Sequence, residues 1–434
     1  MTDTGRSALP WQRLSLLTKG LPPEVGRLEM GADEVIGRRL NVLSGDVPLP
    51  VAVLKASALD HNSRWMRAFL ARHDVALAPH GKTTMSPALF RRQIADGAWG
   101  ITAATVQQAA VMQAFGIRRV LIANQVVDPV AMRWCFDVLG ADPAFTLHVL
   151  VDSLEGVRRL DAVARAAAVR RPLGVLVEMG VAGGRTGCRT IAQGLDVARA
   201  VAGASPRLAL VGIEGYEGAV PGGDDDAKER GIREFVAAMG ELATRCAAES
   251  LFATSDVLLT AGGSAYFDLV TTLPRLVGGH RAQVLLRSGC YLTFDDGYYR
   301  TLWQRLAQRT PEIAALGEPL RPALEIWSSV QSVPEPDLAI LTMGKRDVSH
   351  DLDLPRARWH APEGGTITDA PASWRIEALN DQHAFLRGDA ATMPSVGARI
   401  GCSISHPCTT FDKWRNVLIV DDGYDVVDAV STWF

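Results

Sequence analysis

No run of this chain approaches the roughly 18 consecutive apolar residues of a membrane-spanning helix, which leaves no helical membrane anchor in the sequence. Neither sign of charge is in excess: 45 basic and 48 acidic residues give a formal net charge of −3. There is accordingly no basic field to hold nucleic acid and no polybasic patch for a membrane surface. Met1 to Arg6 carries acidic and polar residues and lacks the apolar core of a secretion signal. Cysteine is sparse, with six residues at 135, 188, 246, 290, 402 and 408 and no CxxC pair. That excludes a disulfide scaffold and predicts reduced thiols in a cytoplasmic protein, one of them open to metal ligation. Internal repeats and low-complexity tracts are also lacking. What is present is ordinary globular composition, 47% hydrophobic and 21% charged. The 434 residues exceed the about 250 that a single barrel takes.

From Val75 onward, apolar runs alternate with stretches of helical period. The strand candidates are Val75–Pro79, Trp99–Ala103, Arg119–Ala123, Thr146–Val151, Leu173–Glu178, Leu208–Glu214, Asp256–Thr260 and Gln283–Arg287. Amphipathic segments such as Pro87–Asp96, Val106–Phe115, Leu154–Ala168, Ile191–Ala202 and Ala227–Glu249 lie between them. Near-continuous apolar strands separated by helices indicate a parallel sheet covered on its outer face. Eight units favour a closed (β/α)8 barrel, with an open doubly wound sheet as the alternative. After about residue 315 prolines cluster, and the runs become short: Ala323–Val330, Leu338–Met343, His383–Leu386 and Asn416–Val420. This reads as a β-rich second domain. The expected α/β organisation is a barrel over 48–310 and a β-rich, metal-binding domain over 311–434. A strand at Pro50–Lys55 and a helix at Asp60–Arg72 precede the first barrel strand.

In such a barrel, reactive residues gather at the C-terminal ends of the strands. Lys82 follows the first strand, Thr105 the second, Asn124 the third and Tyr216 the sixth. Gly262-Gly263-Ser264 follows the seventh, and Ser288-Gly289-Cys290-Tyr291 the eighth. Lys82 is either a loop lysine in solvent or a Schiff-base lysine at a barrel mouth. The two glycine turns are either tight turns needing positive φ or a phosphate cradle, where backbone N–H groups approach an anion. His406-Pro407-Cys408 places an imidazole and a thiol two residues apart; an extended segment would point both to one side. That pair suits zinc, with water and substrate completing an open shell, or else both side chains serve packing. His350 and Asp351 lie in a polar loop, either solvated or reaching a neighbouring site.

Read together, His80-Gly81-Lys82-Thr83, Ala103-Ala104-Thr105-Val106, Leu121-Ile122-Ala123-Asn124, Arg185-Thr186-Gly187, Gly215-Tyr216-Glu217-Gly218, Gly262-Gly263-Ser264 and His406-Pro407-Cys408 resemble the D-serine dehydratase and D-threonine aldolase group of pyridoxal-phosphate enzymes. The resemblance runs over about residues 48 to 420 and implies an alanine-racemase-like fold (fold type III). It implies that residues 1–47 join the β-rich domain, that Lys82 binds pyridoxal 5'-phosphate, and that Arg185 faces the pyridine nitrogen. A guanidinium cannot take up a proton, so the ring would be a weak electron sink. This chain has Glu178-Met179-Gly180 where the group has Asp-x-Gly before that arginine. The resemblance also implies a cysteine at position 408 in dehydratases and an aspartate in aldolases, the latter suiting manganese.

The resulting expectation is a zinc-dependent dehydratase releasing ammonia and a 2-oxo acid from a D-3-hydroxy amino acid such as D-serine. Manganese or another divalent ion remains open. A D-threonine-type aldolase and a non-catalytic pyridoxal-phosphate-binding regulator are the alternatives. Partners are limited to a small amino-acid substrate and a second copy, in a homodimer whose β-domain completes the neighbouring site.

Overall fold

The computed structural model describes residues 13–167, 171–263 and 265–434. By contacts the chain divides into two compact units. One holds the chain up to Met66, Thr83–Leu89 and Cys290–Phe434; the other holds Arg67–Lys82 and Phe90–Gly289.

The second unit is the barrel. Its parallel strands are Ala76–Leu77, Ile101–Ala103, Arg119–Gln125, Thr146–Val151, Leu173–Met179, Leu208–Gly215, Asp256–Ala261 and His280–Leu286. Each pairs in parallel with the next, and the eighth pairs with the first. A parallel bridge between His80 and Thr102 closes the ring. Trp99 N–H donates to Leu77 O at 2.7 Å, and Thr102 N–H to Pro79 O at 3.0 Å. The open-sheet alternative is thereby excluded. The first strand is shorter than its apolar run because Pro79 has no N–H to give a ladder. Apolar periodicity marked the strands well because a covered parallel strand is buried on both faces; every residue of Leu173–Met179 is buried. Helix starts follow local chemistry. Thr105 accepts from Gln108 N–H at 3.2 Å and so caps Val106–Ala114, and Thr190 caps Ile191–Gly203 in the same way.

One barrel histidine has a consequence for acid stability. His148 stacks on Trp99 with ring centroids 5.8 Å apart, and the Arg119 guanidinium lies 4.6 Å from the Trp99 ring centroid. Its Nδ1 is buried without a hydrogen-bond partner. Burial first, and the Arg119 charge second, push its pKa down to about 4. Above the ordinary value near 6.5, His148 is neutral folded or unfolded and stability does not depend on it. As pH falls from there toward 4, the unfolded chain takes up a proton that the fold refuses, and stability is lost. The loss is at most about 3 kcal/mol. Urea unfolding of His148→Gln is expected to show a shallower decline across that window than wild type. Equal pH slopes would remove His148 as the cause.

The first unit is β-rich. Leu324–Glu335 is its central strand, flanked by Leu338–Leu341 and Arg399–Ser403. Val51–Lys55 pairs antiparallel with Leu324–Glu335 and parallel with Asn416–Val420. Boundaries were expected at 48 and 310; this strand pairs within the β-rich sheet, and the contact division falls at 290. Such pairing joins segments hundreds of residues apart and leaves no local trace in sequence. Trp327 is fully buried at the centre, where Gly401 leaves room for it: a β-carbon there would come within 2.6 Å of the indole. The Trp327 and Tyr424 side chains both donate to Glu325, at 2.8 and 3.1 Å. Leu14, Leu21, Met30, Val35 and Val42 pack into the same core.

Candidate active site

Lys82 stands in a 3-10 turn, Gly81–Thr83, directly after the first barrel strand. Gly81 lies flush against the barrel wall. A β-carbon on it would come within 2.4 Å of Met112 and 2.9 Å of Ile101. Only glycine makes that approach, and the turn then presents Lys82 exposed while Thr83 and Thr84 are buried. Beside it His80 has a buried Nδ1 with no hydrogen-bond partner. Burial, then the nearby charges of Lys82, Arg287 and Arg185, hold the imidazole well below its usual range. Lys82, Arg185 and Arg287 thus lie near enough to His80 for their charges to act on it.

Arg185 is exposed on a loop after the fifth strand. Gly187 shapes this loop with φ +94°, and a β-carbon there would meet Gly180 N at 2.4 Å. The Arg189 guanidinium binds the carbonyls of Gly184, Arg185, Thr186 and Gly187, at 2.6 to 3.2 Å. Arg185 lies 4.7 Å over the Tyr216 ring. That ring in turn covers Gly262, where a β-carbon would come within 2.4 Å of it. Arg185, Tyr216, Gly262 and Gly263 therefore converge as expected. Ser288 joins them by donating from its hydroxyl to Gly263 O. Ser264 lies outside the described residues. Gly289 is buried at the end of the barrel segment.

The glycine turn already binds a carboxyl group. Glu217, buried, accepts from Gly263 N–H through Oε1 and keeps a buried, unpartnered Oε2. Burial raises its pKa from the ordinary value. A phosphate entering here would compete with that carboxyl group for the backbone N–H group. Glu214 is also buried. It is paired with Arg287, whose guanidinium also donates to Thr260 Oγ1 at 2.9 Å and Gly215 O at 3.0 Å. Burial, with Glu178 and Glu217 adding to it, pushes Glu214 upward against the pull of Arg287. Sequence reasoning gave no role to Glu214 and Arg287, because charged residues within apolar strands read as strand ends, and noted Glu178 only for the motif it interrupts.

Thr105 and Asn124 turn out to serve structure. Thr105 caps its helix, and Asn124 donates to Ala104 O at 2.8 Å.

In the β-rich unit, His406 and Cys408 do come together, but by a different route. The segment is not extended: Pro407 is helical (φ −57°, ψ −44°) and Cys408–Phe411 forms a single helical turn. The two groups lie close enough across the start of that turn to shift one another's titration. The His406 Nδ1 lies 2.6 Å from Asp351 Oδ2, and Asp351 Oδ1 accepts from Thr409 at 2.7 Å. His350 points elsewhere, 3.5 Å from Val348 O. The thiol of Cys408 is pulled down to about 4, first by its hydrogen bond with Cys290 and then by His406 and Thr83. His406 is raised to about 9 by Cys408 and then Asp351.

Cys290 and Tyr291 were expected in the phosphate turn. Both are buried in the β-rich unit, and the Cys290 sulfur lies 3.7 Å from Cys408 Sγ. Thr83, the residue after Lys82, is 3.4 Å from Cys408 Sγ within the same chain.

Two tests of fit follow. The barrel residues suit pyridoxal phosphate: an exposed lysine at a strand end, a guanidinium over an aromatic ring, and an anion-binding glycine turn. The β-rich residues suit a soft divalent ion: an imidazole oriented by a carboxylate beside a thiolate is a common metal-ligand arrangement. Among the described residues no three His, Cys, Asp or Glu side chains form a finished metal cage, which leaves the pair an open donor set. Among the same residues no helix is long and apolar enough to cross a membrane.

Comparison with known proteins gives the following. Residues 323–420 match the family described as "Putative serine dehydratase domain". The chain is 29% identical over 388 residues to D-threonine aldolase of Arthrobacter sp, covering 87% of this chain and 90% of that one. It is 29% identical over 315 residues to 3-hydroxy-D-aspartate aldolase of Paracoccus denitrificans (strain Pd 1222), covering 71% and 75%. The solved D-threo-3-hydroxyaspartate dehydratase from Delftia sp. HT23 has the same fold, with TM-score 0.71 and 18% identity over 91% of this chain and 99% of that one.

Proposed function

Since the chain belongs to the D-serine dehydratase and D-threonine aldolase group, pyridoxal-phosphate-dependent lyases of D-3-hydroxy amino acids with the alanine-racemase-like fold, we propose that it is a zinc-dependent dehydratase. Its substrate would be a D-3-hydroxy amino acid, with D-serine, D-threonine and D-threo-3-hydroxyaspartate as candidates. The products would be ammonia and a 2-oxo acid.

The observation that carries this reading is the His406–Cys408 pair with Asp351 behind it. A thiolate beside an imidazole selects zinc over harder ions. The dehydratase of the same fold has been solved as a histidine-to-alanine mutant and, in a metal-free form, as a cysteine-to-alanine mutant. The histidine there precedes the cysteine by two positions, the spacing of His406 and Cys408.

When bound, pyridoxal phosphate supplies an electron sink next to Cα, and zinc supplies Lewis acidity at the 3-hydroxyl. The chain's own residues do the rest. Lys82 Nζ would hold the cofactor and would stand as the base for the Cα proton. Arg185 offers the pyridine side a permanent cation and no proton acceptor, which keeps charge from building up at Cα. Gly262, Gly263 and Ser288 would hold the phosphate, which would take the place of the Glu217 carboxyl group at Gly263 N–H. His406 and Cys408 hold the ion, and Asp351 keeps His406 Nδ1 protonated so that Nε2 is free to ligate.

A second reading is favoured by a specific observation: both curated relatives above are aldolases. Product analysis separates the two. Serine, threonine and 3-hydroxyaspartate of both configurations would be offered to chelator-treated protein with and without added zinc. Zinc-dependent ammonia and 2-oxo acid in equal amounts from a D-substrate are expected. Glycine with an aldehyde, and no ammonia, would replace the dehydratase with the aldolase.

A further inference from the structure

We propose that Cys290 is a third protein ligand of the ion held by His406 and Cys408, so that one imidazole nitrogen and two thiolates bind it and one position stays open to a substrate oxygen. This rests on the metal reading above and goes beyond it, because it changes the charge and metal preference of the site.

The spacing is the first support. Cys290 Sγ and Cys408 Sγ are 3.7 Å apart. Two sulfurs each roughly 2.3 Å from a tetrahedral zinc lie about 3.8 Å from one another. The surroundings are the second. The Thr83 hydroxyl is 3.4 Å from the Cys408 sulfur and 3.7 Å from the Cys290 sulfur. A single hydroxyl shared by two sulfurs is the kind of outer partner that orients thiolate ligands. The backbone is the third. Cys290 O accepts from Phe294 N–H at 2.7 Å. On the other side Thr410 Oγ1 donates to His406 O at 3.1 Å, and His406 N–H donates to Ser349 Oγ at 3.2 Å. Both sulfurs thus sit on hydrogen-bonded turns.

Among the described residues the three side chains do not form a finished cage as they stand. Closing it takes rotation about staggered side-chain torsions, a small cost against metal–thiolate bonding. With two thiolates and a neutral imidazole the site balances the ion's two positive charges. It becomes softer than a His–Cys site and discriminates more strongly for zinc against manganese. One histidine and two cysteines with a fourth position open is an established donor set for catalytic zinc.

The test uses full-length protein kept reduced and loaded with zinc or cobalt. X-ray absorption of zinc-loaded wild type is expected to show two sulfur neighbours, and needs no variant. Cys290→Ser is expected to keep about half of the thiolate-to-cobalt absorption band. It should weaken zinc, measured by chelator competition, by at least about 100-fold, the upper end of what loss of an outer partner alone costs. One sulfur neighbour in wild type, with full band and affinity in Cys290→Ser and loss of both in Cys408→Ser, would overturn the role of Cys290 while sparing the His406–Cys408 site. Wild type that takes up neither metal would overturn both. A melting curve for each variant in the presence of chelator separates ligand loss from misfolding.

Discussion

Lys82→Ala protein is expected to fold normally, to lose the visible absorbance of lysine-bound cofactor and to lose turnover by at least about 10⁴-fold, the upper range for a catalytic base alone. Folding should survive because Lys82 is exposed and an exposed substitution of this kind shifts stability by within about 0.5 kcal/mol. The chain has only six lysines, at 19, 55, 82, 228, 345 and 413. Lys19 is tied to Asp347 and Arg346 O, and Lys413 is paired with Asp412. Lys55 is the chemical rival, since burial lowers its pKa as an amine nucleophile requires. It is nonetheless held by Asp421 O at 2.6 Å and lies over the Tyr424 ring in the β-rich sheet. Borohydride reduction followed by peptide mapping should find the cofactor on Lys82. Label on Lys55 or Lys345 would sink the assignment.

Removing the Cys408 sulfur should separate the two halves of the chemistry. Cys408→Ala, or chelator on wild type, is expected to stop ammonia release while leaving the cofactor absorbance intact, because Lys82 and the glycine turn do not depend on the ion. A Lewis acid contributes several kcal/mol to expulsion of a hydroxyl, so the loss should be about 10³-fold or more. Cys408→Asp is the sharper variant. It keeps a negative ligand but exchanges soft sulfur for hard oxygen, moving preference toward manganese. It should lose dehydration and show weak carbon–carbon cleavage with manganese. Ammonia release by Cys408→Ala at the wild-type rate with undiminished zinc would reduce the motif to packing.

The sequence determined the barrel because its cause is local. A strand covered on both faces must be apolar throughout, so Leu173–Met179 and its counterparts stand out, and the residue after each strand falls at the reactive end. The strand-end positions of Lys82, Tyr216, Gly262 and Ser288 were legible for that reason, as were those of Thr105 and Asn124, which serve structure; Arg185 stood out by resemblance. The pairing of His406 with Cys408 was legible as chemistry, though not as conformation, since Pro407 opens a helical turn there. Only the tertiary structure closed the ring through His80 and Thr102, and only it put Val51–Lys55 into the β-rich sheet. It alone set Glu217 in the glycine turn, Asp351 behind His406 and Cys290 beside Cys408. Each of these joins residues tens to hundreds of positions apart. A buried carboxylate or thiol has no periodicity to betray it; its role is set by what folds against it.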